Sequence, residues 1–204
     1  SDEHPPPPGS RLAVLQDALA SIGSGGGCAA VICNTVGDAQ TTFEHLADWA
    51  QRQPTRPQMH LLHARFPAWQ RQEITETVTV LFGKDAGNSR PRASIVVATQ
   101  VIEQSMDLDF DVVISDLAPM ALLLQRAGRC WRHTVAWRPA QISGPTLVVL
   151  DPVDRNGQHV RPPQWGEVYG RYLLRSTRDL LAQRAGAPIE VPAQVQDLVE
   201  RVYC

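Results

Sequence analysis

Lysine is almost absent from this chain: of its 19 basic residues, only Lys84 is not an arginine. GC-rich coding is the plain reading of that skew. The functional reading is arginine's forked contact to phosphate, and composition does not choose between them. The net charge is −2, so there is no global basic field, and any nucleic-acid site must be local. Four cysteines, Cys28, Cys33, Cys130 and Cys204, form no CxxC pair and no zinc-ligand spacing. Cys28 and Cys33 lie in an apolar run and read as small core residues, and a reduced, cytoplasmic setting is the expectation. No run approaches the roughly 18 apolar residues that span a bilayer, and no signal peptide opens the sequence. The phosphate loop GxxxxGK[ST] is missing, as is a DExx-type acidic box after a strand. GSGGG at 23–27 lacks the lysine, precedes a strand and reads as a flexible turn. Alone, the chain is therefore not expected to bind ATP–Mg²⁺ tightly or to hydrolyse it. Finally, no acid lies between Asp116 and Asp151, although Arg126, Arg129 and Arg132 fall in that interval.

What is present suits one globular domain: 204 residues, 43% apolar and 20% charged, enough to bury a sizeable core without staples. The opening SDEHPPPPGS, residues 1–10, reads as a Pro-rich linker or chain end. From residue 11 short apolar runs alternate with helical patterns. CAAVIC, MHLLH, SIVVAT, FDVVISD and PTLVVLD read as strands. RLAVLQDALASI, VGDAQTTFEHLADWAQR, PAWQRQEITETVTVLFG and PMALLLQRAGRCWRH read as helices, followed by a long helix near 167–183 and a short one near 192–203. Thr35 and Asp38 make a capping box for the second of these helices. The alternation predicts an α/β fold: a parallel sheet with helices on both faces, plus a helical C-terminal extension. Ligands of such sheets gather at the carboxyl ends of strands. Attention therefore falls on Asn34 and Thr35, on 63–66, and on Thr99 onward.

Two segments stand out. Between Glu103 and Asp116 lie five acids and no base, a solvated acidic loop on composition alone. Then comes the basic end of the fourth helix, where Arg129 and Arg132, three apart, would share a helix face. Gly128, a poor helix former, would admit the close approach of a ligand or another backbone. A solvated helix end and a phosphate clamp are both open readings of these arginines.

In this order the segments resemble the second RecA-like lobe of superfamily 2 helicases: VICNT (31–35) motif IV, ATQVIEQSMD (98–107) motif V and QRAGRCWR (125–132) motif VI. The wording around them, DLDFD, DLAP, LLHARF, VYGRYLLRSTRDLL and IEVP, resembles the signature helicase–nuclease of type I CRISPR systems over about 28–204. Ala64 stands where that family often has serine, and Cys130 replaces a more usual aliphatic residue. The resemblance implies a RecA-like lobe at 11–158 and a helical extension or linker at 159–204, toward a C-terminal domain. It also implies that the first lobe and the nuclease domain lie outside this chain, by excision or separate encoding.

For the site, the resemblance implies catalytic Arg129, Arg132 and Gln125 at the γ-phosphate. Asp107 would touch the ribose, with Gly128 and Arg126 beside the nucleotide. Arg126 has an alternative role, pairing with an acid of its own lobe. Asn34, Thr35, Arg65, Thr99 and Gln104 would meet the nucleic acid, against a capping role for Thr35 and a surface ion pair for Arg65. Trp69 and Trp131 read as packing before stacking, and Asp109, Asp111 and Asp116 as structural or solvated. The chain's own cofactor-binding set would contain no metal ligand. The implied cofactors are ATP and Mg²⁺, held mainly by the first lobe, and a divalent metal for an HD nuclease. The implied partners are that lobe, the HD domain, single-stranded DNA and a crRNA-guided surveillance complex; a membrane is not among them. The implied activity is 3′→5′ DNA translocation in antiviral defence. The alternatives are another superfamily 2 motor, such as an RNA helicase or restriction translocase, or a non-catalytic nucleic-acid-binding adaptor.

Overall fold

The computed structural model describes residues 7, 9–104, 106–154, 156, 158–160 and 162–203. Most of the expected 1–10 linker and Cys204 lie outside that set. Helices α1 (Arg11–Ala18) and α2 (Ala20–Gly25) lead into β1 (Gly27–Ile32). Then follow α3 (Val36–Gln51), β2 (Gln58–Leu62), α4 (Ala68–Phe82), β3 (Ala93–Ala98), a 3₁₀ turn at Gln100–Glu103, and β4 (Val112–Asp116). The order closes with α5 (Met120–Ala127), β5 (Thr146–Leu150), a 3₁₀ turn at Pro163–Glu167, α6 (Arg171–Arg184) and α7 (Val195–Tyr203). The five strands are all parallel, in the order β2-β3-β1-β4-β5.

The central strand explains the two layers. All six residues of β1 are buried. Side chains alternate across a strand. Ala29 and Val31 accordingly enter a core with Leu15, Leu19 and Ile22 of α1–α2 and with Leu46 and Trp49 of α3. Ala30 and Ile32 enter the opposite core with Val78 and Phe82 of α4 and with Ile102, Leu108 and Phe110. Each fully buried aliphatic side chain here contributes on the order of 1.5–3 kcal/mol. The C-terminal helices add smaller clusters against α5, one around Trp165 and Leu174 and one around Leu180, Leu198 and Val202. Burial pushes the thiol of Cys28 up to about 12 and those of Cys33 and Cys130 up to about 11, so these cysteines are inert core residues. No helix among the described residues is long and apolar enough to cross a membrane.

Three expectations need correction. The first helical pattern does not end before the glycines; α2 runs through Gly25, and the turn is made by Gly26 and Gly27 at φ 89 and 115. The helix read through His133 stops at Ala127, so Arg129 and Arg132 share no helix face. Phe110 ends it: its N–H donates to the carbonyl of Arg129 (2.9 Å) and its carbonyl accepts from Trp131 N–H (2.9 Å). Trp131 takes φ 52, which no right-handed helix allows. Nor is the acidic segment a solvated loop. Asp109 and Asp111 are buried and form an ion network with Arg90 and Arg138, at 2.6–3.2 Å. Arg138 also lies 4.7 Å over the ring of Trp131, whose indole nitrogen donates to the Asp111 carbonyl, so Trp131 packs. The third buried acid, Asp116, pairs with Arg11 at 2.9 Å. Burial raises the Asp116 carboxyl, against the pull of Arg11. Arginines distant in sequence thus balance the acids.

Candidate functional site

The carboxyl ends of β1, β2 and β3 open onto a groove of ≈ 710 Å³. Asn34, Thr35, Arg65, Thr99 and Gln104 all line it, so the five residues expected to meet nucleic acid are gathered in one place. The amino end of α3 borders it, with backbone N–H groups suited to phosphate. Thr35 caps that helix: its hydroxyl accepts from Asp38 N–H (3.1 Å) and donates to the Asp38 carboxylate (2.8 Å). Asn34 is buried, its N–H on Asp116 (2.9 Å) and its amide on the Leu117 carbonyl (2.8 Å), so its side chain shapes the floor. Arg65 is the one basic residue lining the groove, and among the described residues no carboxylate stands at ion-pair distance from it. Trp69, the second residue of α4, is 69% exposed, so the packing expectation for it does not hold.

The arginines separate into three environments. Arg126 is 0% exposed. Its guanidinium meets the Glu103 carboxylate at 2.7 Å, the Ser115 hydroxyl at 2.7 Å and the Tyr169 hydroxyl at 3.0 Å. Of the two roles open to it, pairing within its own lobe is the one its geometry displays. Among the described residues the Arg129 guanidinium donates to a backbone carbonyl alone, that of Glu103, at 3.0 Å. Burial and the neighbouring Arg132 charge lower its pKa, against the pull of Asp107 and Glu103. Arg132 is ion-paired with Asp107, and both are about half exposed. Burial would raise the Asp107 carboxyl, but Arg132 and His133 outweigh it and hold it low. His133 stands 3.1 Å from Asp107, at ion-pair distance but without hydrogen-bond alignment. Two of the three arginines therefore have internal acids; the gap between Asp116 and Asp151 left them unneutralised only in sequence, not in space. Gly128 caps α5 at φ −63, and a Cβ there would reach the Gln125 carbonyl at 3.3 Å, a tight fit.

Glu103 joins the two regions. Its carboxylate holds Arg126, and its backbone carbonyl accepts from both Arg129 and Gln125 (3.2 Å). It closes the 3₁₀ turn that begins at Gln100, and Gln100 lines the groove and donates to the Asn34 carbonyl (2.9 Å). Glu103 and Gln100 lie within the quoted motif, yet their role needs contacts 22 to 66 residues away. Phosphate chemistry fits Arg129, a half-satisfied cation beside an openable pair. Among the described residues no group of three or more His, Cys, Asp or Glu could hold a metal ion.

A family model described as CRISPR-associated nuclease/helicase Cas3, C-terminal, matches residues 25–135. The CRISPR-associated endonuclease/helicase Cas3 of Thermus thermophilus is 44% identical over 143 residues, 70% of this chain and 15% of that protein. The crystal structure of T. fusca Cas3-ATP superposes with a TM-score of 0.89 at 48% identity, covering 95% of this chain and 22% of that one. A CRISPR RNA-guided surveillance complex, pre-nicking, contains a chain with TM-score 0.82 at 46% identity, covering 95% of this chain and 23% of that one. The chain spans less than a quarter of the length of these relatives. It is an α/β lobe consistent with a second RecA-like lobe, and it belongs to the family of the CRISPR-associated nuclease/helicase Cas3, C-terminal region.

Proposed function

We propose that this chain is the second motor lobe, 11–158 with an extension at 159–204, of an ATP-dependent 3′→5′ translocase of single-stranded DNA. The observation that carries the reading is the shared turn: Gln100–Glu103 touches the groove at one end and holds Gln125, Arg126 and Arg129 at the other. ATP with Mg²⁺, held mainly by a first lobe, supplies the transferable phosphoryl group and the free energy of the cycle. Arg129 stabilises negative charge on that group, because among the described residues its guanidinium is held by a backbone carbonyl and by no carboxylate at ion-pair distance. Arg132 joins it when the pair with Asp107 opens; exposed pairs of this kind cost little to open. The freed Asp107 accepts hydrogen bonds from sugar hydroxyls. Gln125 and Gly128 border the nucleotide, and Arg126 stiffens the base of the site.

In the groove, Arg65, Thr99, Gln104 and the backbone of Thr35 track phosphates without reading sequence. Asn34 supports them. The T. fusca Cas3-ATP structure and the surveillance complex suggest the nucleotide and the crRNA-guided partner for this chain too, in a cytoplasmic assembly with an HD nuclease that needs its own divalent metal. Steady-state ATP hydrolysis by the complete motor tests the reading. Single-stranded DNA should stimulate it, RNA should not, and the 204-residue chain alone should show no turnover. Stimulation by RNA alone overturns it.

A further inference from the structure

The segment after β5 belongs to none of the helicase motifs, yet it reaches both halves of the site. Trp165 is buried, and its indole donates to the Asp38 carboxylate at 3.1 Å, beneath the cap of α3. Gln164 and Val168 line the groove. Tyr169 goes further: its phenolic oxygen accepts from Arg126 at 3.0 Å and from Gln100 at 3.3 Å. Gln100 begins the 3₁₀ turn and Glu103, the carboxylate partner of Arg126, ends it. The contacts therefore close a ring: Gln100, the turn, Glu103, Arg126, Tyr169 and back to Gln100.

Without the brace the turn is a weak mechanical link. Short 3₁₀ turns have poor hydrogen-bond geometry, and this one has Ile102 on Thr99 and Gln104 on Val101, each at 3.2 Å. A turn free to flex would absorb a displacement of the α5 end before it reached the groove. Tied across its two ends by a rigid phenol, it moves as one piece. We infer that Tyr169 is a positioning residue, contributed by the extension, that makes the groove end and the arginine end of this turn respond together. The inference rests on the reading of the chain as a DNA motor lobe, and it adds a residue outside the motifs to that machinery.

The test uses the complete motor and compares ATP turnover with and without single-stranded DNA. In Tyr169→Phe, DNA-stimulated kcat falls about tenfold, while the DNA-free rate and the KM for ATP hold within about twofold, since coupling is lost and the site is kept. Gln100→Leu leaves the buried Arg126–Tyr169 pair intact and lowers stimulated turnover by a similar factor; the double variant falls no further, because one ring is broken either way. Normal stimulation in both single variants, or losses that multiply in the double, overturns the brace. Should Tyr169→Phe melt at a lower temperature and lose its DNA-free rate as well, normal stimulation in Gln100→Leu overturns the brace alone. A wild-type motor that DNA does not stimulate overturns the motor reading together with the brace.

Discussion

Arg129 donates to the backbone carbonyl of Glu103 at 3.0 Å, and among the described residues no carboxylate stands at ion-pair distance from it. Three residues earlier, Arg126 meets the side chain of the same Glu103 at 2.7 Å. One residue thus anchors two arginines in different ways: one is ion-paired inside the lobe and the other is held through a backbone carbonyl. On the proposed reading, structure and catalysis divide along that line.

The environments of the arginines predict unequal stability effects. Arg126→Ala empties a fully buried site, leaves the mostly buried Glu103 carboxylate without its partner and strips donors from Ser115 and Tyr169. Removing one member of a buried pair costs about 3–5 kcal/mol. Arg126→Lys fares little better, because an ammonium cannot fork among these three acceptors. Chemical denaturation should therefore show a large loss for both, beside a near-normal midpoint for Arg132→Ala, whose partner Asp107 is half exposed.

Arg65 predicts a salt signature. Arg65→Ala should weaken binding of single-stranded DNA evenly across sequences. It should also reduce the slope of log affinity against log salt by about 0.7, the value for one phosphate contact on a single strand. A fluorescence anisotropy titration at several salt concentrations reads both. An unchanged slope would remove Arg65 from the groove's contacts.

Histidines on and just after β2 predict a pH effect. Burial lowers the pKa of His60 and His63 from 6.5, and among the described residues His60 Nε2 and His63 Nδ1 are buried without a hydrogen-bond partner, so a proton added at either would find no acceptor there. The folded state binds fewer protons than the unfolded one below that value. Stability is therefore full above pH 6.5 and is lost as the pH falls from there toward the lowered folded-state values. Denaturation midpoints between about pH 8 and about pH 5.5 should decline, and His60→Leu should flatten the decline. A pH-independent midpoint in the wild type would contradict this.

The sheet was legible because its signal is local: each strand is a short apolar run, and the parallel arrangement follows from the helices between them. The groove residues were legible for the same reason, since strand ends can be counted. What sequence could not place was the pairing across distance. Asp109 and Asp111 read as a solvated loop because their partners, Arg90 and Arg138, lie 19 to 29 residues away, beyond any helical or strand periodicity. The apparent helix through His133 continued the apolar spacing of 122–124, and only the tertiary pairing of Phe110 with Arg129 and Trp131 ended it. Tyr169 lies within the quoted VYGRYLLRSTRDLL, but its link to Arg126, 43 residues away, had no local sign.

The central claim is that Arg129 faces the transferring phosphate. In the complete motor, Arg129→Ala should lower single-turnover ATP hydrolysis by about 10³-fold or more, in line with the loss of an arginine finger, while the melting temperature stays near wild type. Hydrolysis within about tenfold of wild type, with the fold intact, would contradict it.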